Sequence, residues 1–195
     1  MKPALAGAAL ALLAASAAAQ ERPILQPTRD VTVTYRLDGA AAAAIPGGVD
    51  GPLRLSWDAG RQRLRADSAR PQALLVDLPR HTAAVVDDAM RAVLALPVRD
   101  RDLQALTLAG ARLTRRGGAT VAGYACTNWD VSASRGTGTV CLTADGVALQ
   151  ASGTVDGRRG SFTATGVTYG PVAPALFEVP PGYFSLDVPA FGRSP

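Results

Sequence analysis

The chain of 195 residues carries 20 basic and 16 acidic side chains, a formal net charge of +4, with two cysteines, one histidine and two tryptophans. One imidazole and two thiols are too few for the usual zinc ligand sets, so no metal or other cofactor is expected. The arginines alternate with aspartates instead of massing in a basic run, which argues against a nucleic-acid partner.

The first nineteen residues read as a secretory signal peptide: Lys2, an apolar run from Ala4 to Ala15, and small residues at Ala17 and Ala19 before Gln20. Cleavage near Ala19 implies a periplasmic or secreted protein. No later stretch reaches the ~20 apolar residues of a bilayer crossing, so the mature chain is expected to have no transmembrane segment. Lys2 is the only lysine, so the mature chain keeps nineteen arginines against 16 acids, net +3. Its layout reads as a lead-in over 20–30, one domain over 31–189, and a tail over 190–195.

Val31 to Leu37 alternates, with Val31, Val33, Tyr35 and Leu37 on one face, and predicts a half-buried strand. Ala40 to Ala44 is compatible with a helical turn or a loop. Pro52 to Asp58 predicts a second strand with Leu53, Leu55 and Trp57 inward. After a turn at Asp58-Ala59-Gly60, Leu64 and Ala66 alternate with Arg61, Arg63, Arg65 and Asp67, a face expected to meet water. Gln72 to Leu78 and His81 to Asp87 continue an antiparallel meander. Asp88 to Leu96 reads as a short helix, capped by Asp87 or Asp88, closed by Pro97, with Met90, Val93 and Leu94 on one stripe. Leu103, Leu106 and Thr107 suggest a second short helical piece.

In an oxidising compartment, two nearby cysteines predict a disulfide between Cys126 and Cys141. With these placed directly opposite, the hairpin turn falls on Ser132 to Arg135 and Trp129 faces Gly138. The cysteines then lie on a polar outer face. Asp145-Gly146 predicts a two-residue hairpin turn setting Val140 against Ala151 and Leu142 against Leu149. Gly117 to Ala119 reads as a three-residue turn, Asp156 to Gly160 as a glycine-bounded turn, and Ser161 to Tyr169 as a strand. The proline-rich tail, with Leu176, Phe177, Val179, Tyr183 and Phe184, is too apolar to be free and is expected across an open end or edge of the sheet.

Candidate chemistry is sparse. His81 has no serine or cysteine partner in a recognisable motif, and a secreted hydrolase is a distant alternative. Asp87-Asp88 and Asp100-x-Asp102 read as caps and surface pairs; no enzyme activity is expected from them. The chain therefore reads as mainly β with one or two short helices, a strongly curved antiparallel sheet that closes as a barrel, stacks as a sandwich or leaves a cavity. Trp57, Leu55, Val121, Trp129, Val140, Leu142 and Leu149 are candidates for lining an apolar cavity.

Three motifs carry a family resemblance. They are Gly123-Tyr124-x-Cys126-x-x-Trp129-x-Val131, then Val140-Cys141-Leu142-Thr143-x-Asp145-Gly146, and finally Val167-x-Tyr169 with Phe177-x-x-Pro180-x-Gly182-Tyr183. Together they resemble secreted bacterial proteins of the lipoprotein-carrier-like superfamily, most of all an uncharacterised periplasmic branch of it. The resemblance covers about sixty residues. It implies an unclosed half-barrel with a helix plug on the concave side and a cavity for lipid or lipoprotein acyl chains. The cysteine pair departs from the best-known carriers. The alternative is an envelope structural or interaction protein with a filled core.

Overall fold

A computed structural model describes residues 22–43 and 51–186. The expected signal peptide, the 189 boundary and the 190–195 tail lie outside the described residues. In chain order the elements are β1 (Val31–Gly39), α1 (Ala40–Ala43), β2 (Leu53–Asp58), β3 (Arg63–Asp67), β4 (Gln72–Asp77), β5 (Thr82–Asp87), β6 (Ala92–Leu96), α2 (Asp100–Thr107), β7 (Arg112–Val121), β8 (Tyr124–Ala133), β9 (Gly136–Leu142), β10 (Ala148–Val155), β11 (Arg158–Tyr169), a 3-10 turn (Pro174–Phe177) and β12 (Phe184–Leu186). All twelve strands form one sheet, in the order β12-β6-β5-β4-β3-β2-β1-β11-β10-β9-β8-β7. Every pairing is antiparallel except β12 with β6. The expected mainly-β, unclosed curved sheet with little helix is what the chain forms.

The connectivity itself demands curvature. Strands β6 and β7 are consecutive in the chain yet stand ten places apart in the sheet. At about 4.8 Å per step a flat sheet would separate them by roughly 48 Å. Residues 97–111 join them, eight of these in α2; helix at ~1.5 Å and extended chain at ~3.4 Å per residue reach only about 36 Å. The sheet curls accordingly. Tyr124 on β8 stacks edge-on against Tyr169 on β11, centroids 5.6 Å apart, across two intervening strands.

That contact identifies the concave face, and its centre is packed. Leu149 is 0% exposed there, and Val31, Val33, Tyr35, Leu53, Trp57, Leu64, Cys126, Cys141 and Ala164 are buried in the same cluster. Tyr35 spends its hydroxyl on the Ala148 carbonyl at 2.7 Å, and burial pushes its phenol up from the ordinary tyrosine value. Two apolar rows run outward from this core along the cross-strand pairs, Leu55–Ala66–Leu74–Val85–Leu94 and Trp57–Leu64–Val76–Ala83–Leu96. Burial falls along the second row, and Val85, Leu94 and Leu96 at the outer ends are only half-buried. Helix α1 packs on β1 and β11, and Leu108, just after α2, packs on the opposite, outer face.

Several local expectations are corrected. Asp88 to Leu96 is a four-residue turn followed by β6, not a helix. The Asp87 carboxylate accepts the Met90 amide at 2.9 Å, the same bond a helix N-cap makes, so the cap signal and the turn signal coincide. The turn is one of three alike. Asp58, Asp77 and Asp87 each end a strand and accept the amide three residues on. Gln62, His81 and Arg91 each close the turn at positive φ, 52°, 54° and 52°. The arginine face of β3 is also drier than expected. Arg63 pairs with Asp77 at 3.2 Å and is 17% exposed. Arg65 donates to Asp67 and to the Leu176 carbonyl, because the tail crosses this face with Phe177 buried before β12 joins the edge at β6, as the tail was expected to do.

The register of the cysteine hairpin is shifted by two. Trp129 faces Val140 and Asn128 faces Cys141, so the turn is Ser134-Arg135 and the disulfide runs diagonally, Cα–Cα 5.4 Å. A shift of two keeps every side chain on its face. The environment differs, however: Cys126 and Cys141 are 6% and 1% exposed in the concave core, not a strap on the outside. Gly117 lies in a bulge of β7, where Arg115 faces Trp129 and Gly118 faces Thr127. The turn itself is Ala122-Gly123, both at positive φ. The turn at Gly146 has three residues, Ala144 to Gly146, closed by Thr143 and Val147. Val140 faces Ala151 as expected, but a bulge sets Leu142 against Ala148 and leaves Leu149 free to enter the core. The Asp156 turn is two residues, and β11 begins at Arg158.

Candidate functional site: an apolar groove on the outer face

The seven residues expected to line one cavity are divided between two faces. Trp57, Leu55, Val121 and Leu149 belong to the filled concave core. Trp129, Val140 and Leu142 form a separate cluster on the outer face of β8–β9, with Leu25, Leu108, Leu113, Val131, Ala148 and Ala151 packed on it. The reason is the turn at Ala122-Gly123. Val121 pairs with Tyr124 and shares its concave side, while Trp129 is an odd number of residues from Tyr124 and points outward.

Over the outer cluster lies a groove of about 620 Å³, within the range of small-molecule sites. One wall is the lead-in, Arg22 to Gln26; the other is the end of α2 and the turn into β7, Thr107 to Ala111, with Leu113. Leu25, Leu108 and Leu113 belong both to the groove lining and to the packing on Trp129. Ile24 stands 47% exposed in the wall.

The lead-in wall is held by a dense set of bonds. The Trp57 indole donates to the Pro27 carbonyl at 2.8 Å. Asp30 accepts from the amides of Ala59 and Val172. Arg29 donates from Nε and Nη2 to Asp145 at 3.1 and 2.7 Å, and its guanidinium sits 4.1 Å above the Tyr169 ring. Thr143 and Tyr169 donate their hydroxyls to the same carboxylate, and its backbone carbonyl accepts the Thr28 amide at 3.0 Å. Burial pushes the Asp145 carboxyl up, but the bonds from Thr143, Arg29 and Tyr169 outweigh it and hold it below the usual carboxylate range. Gly146 is required here: its φ is +91°, and a Cβ would come within 2.3 Å of the Gln26 carbonyl.

The opposite wall turns on two left-handed residues, Leu108 (φ 54°) and Gly110 (φ 78°), with the Ala111 amide donating to the Leu108 carbonyl. Chemically the site is an apolar slot. Among the described residues Arg22 is the only ionisable side chain lining it. Among the described residues no group of three or more His, Cys, Asp or Glu is placed to hold a metal. His81 sits exposed on the β4–β5 turn, and its imidazole makes no hydrogen bond among the described residues. Asp87 is occupied by Gln72 and Met90, and Asp88 by the Tyr183 hydroxyl. Among the described residues no helix is long and apolar enough to cross a membrane.

The sequence reading missed both walls. The signal was present in the apolar pair Ile24-Leu25 between Pro23 and Pro27, and in Leu108 and Leu113 flanking Gly110. Neither segment has a periodicity to announce it.

No family model matches the sequence, and no curated protein matches it. Solved structures do. An uncharacterized conserved protein from Thermus thermophilus superposes with a TM-score of 0.54 at 11% identity, over 82% of this chain and 90% of the other. MucB in complex with MucA from Pseudomonas aeruginosa gives 0.46 at 14% identity, over 76% of this chain. A putative outer membrane lipoprotein-sorting protein domain from Vibrio parahaemolyticus gives 0.39 at 10% identity, over 78% of this chain and 91% of the other. The chain spans 55% of the MucB chain. At such identities the likeness is one of fold alone.

Proposed function

We propose that this protein is an extracytoplasmic binding protein that holds one apolar chain, such as a lipid or lipoprotein acyl chain, in the outer-face groove. The observation that carries the reading is a groove of about 620 Å³ lined mainly by apolar groups, with Arg22, Gln26 and Thr107 among them, and bounded by a wall pinned to the sheet. The buried disulfide and the signal-peptide pattern of the first nineteen residues support a periplasmic or secreted setting. The protein acts by binding, not catalysis.

A second reading has its own support. The concave core is filled, with Leu149, Val31, Val33 and Cys141 at 1% exposure or less, which favours an envelope interaction protein without a small ligand. Native mass spectrometry of protein purified from periplasm separates the two. Co-purifying acyl species, or uptake of a fluorescent fatty acid, support the binding protein. A clean apo mass with no uptake leaves the interaction protein.

A further inference from the structure

The groove has a polarity that its apolar lining does not exhaust. Its lining runs from Arg22 through Pro23, Ile24 and Leu25 to Leu108 and Leu113, with no carboxylate among the described lining residues. Arg22 is exposed and makes no hydrogen bond or ion pair among the described residues. Most arginines near carboxylates in this protein are taken: Arg29 by Asp145, Arg61 by Asp58, Arg63 by Asp77, Arg65 by Asp67, Arg80 by Asp77 and Arg116 by Asp130. A guanidinium without a partner among the described residues, in the lining of an apolar slot, presents planar donors matched to a carboxylate or phosphate head.

Resting on the binding reading above, we propose that the groove selects a single-chain anionic amphiphile, with the chain along Ile24, Leu25, Leu108 and Leu113 and the head on Arg22. A groove of about 620 Å³ has room for one long acyl chain and not for a pair.

The test uses the mature full-length protein and displacement of the neutral dye N-phenyl-1-naphthylamine. Hexadecanoic acid, hexadecan-1-ol and hexadecylamine compete in turn, against wild type, Arg22→Ala and Arg22→Lys. In wild type the acid should displace the dye at roughly three- to tenfold lower concentration than the alcohol, with the amine weakest, as a partly solvated ion pair implies. Arg22→Ala should erase the difference between acid and alcohol; Arg22→Lys should keep part of it. Equal potency of acid and alcohol in wild type, or a preference that survives Arg22→Ala, overturns the head-group assignment while the groove reading stands. Absence of dye and amphiphile binding altogether overturns the groove reading as well.

Discussion

Replacing Asp145 by asparagine isolates the clasp that holds the groove wall. Asparagine leaves Gly146, the residue at positive φ, in place, and removes the charge and one of the two acceptor oxygens. The carboxylate accepts two bonds from Arg29, one from Thr143 at 2.5 Å and one from Tyr169 at 3.1 Å. Arg29 is 62% exposed, so that ion pair contributes at most about 1 kcal/mol. The two hydroxyl bonds to a charged acceptor are partly buried and contribute more, and the asparagine amide would keep some of them. A net loss of about 2 kcal/mol follows, or a fall in melting temperature of roughly 4–8 °C for a domain of this size. The pH dependence adds a sharper check. The folded carboxyl lies below its ordinary value, so its stabilisation is complete above the ordinary carboxylate range and disappears as pH falls through the lower folded value. Urea denaturation of wild type and Asp145→Asn should therefore show a gap at pH 7 that closes in strong acid. A gap that stays constant from neutral to strongly acidic pH refutes the clasp.

Other outcomes follow from the fold. Cys126→Ser should cost ~3 kcal/mol under oxidising conditions, for a loop of separation 15, and little under reductant; equal melting temperatures of mutant and wild type in oxidising buffer would exclude the disulfide. Arg91→Gly should be neutral or stabilising by up to about 1 kcal/mol, because Arg91 sits at φ 52°; in a helix the same change would cost about 1 kcal/mol, so thermal melts decide between turn and helix. Leu149→Ala should cost about 2–5 kcal/mol, since the side chain is 0% exposed in the concave core. A cost under about 1 kcal/mol in that melt would mean the core is not filled there.

The sequence made the alternating strands visible wherever one face was charged. Strands β1 to β5 were legible because Arg63, Arg65 and Asp67 alternate with Leu64 and Ala66, and because Asp58, Pro79 and Asp87 punctuate the chain. The disulfide was legible from the count of cysteines. Face assignment failed where both faces are apolar: β8 buries Cys126 on one side and Trp129 on the other, so alternation alone does not say which side is the core. The Ser132 to Arg135 stretch has no glycine or proline to pin its turn, and the register slid by two. Gly117-Gly118 looked like a turn because glycine serves bulges and turns for the same conformational reason. The helix expected at Asp88 failed because an aspartate side chain caps a turn and a helix with the same hydrogen bond. The groove was hidden because its walls, 22–26 and 107–113, are distant in sequence and meet only through the clasp on Asp145 and the packing on Trp129.

The central claim is that a ligand sits on the outer face and not in the concave core. A fatty acid carrying a diazirine along its chain, photolysed on the mature protein and mapped by peptide mass spectrometry, tests it most directly. The label should fall on Arg22 to Gln26 and Thr107 to Leu113. Label concentrated instead on Leu74, Val85 and Leu94, the half-buried concave row, would contradict the account.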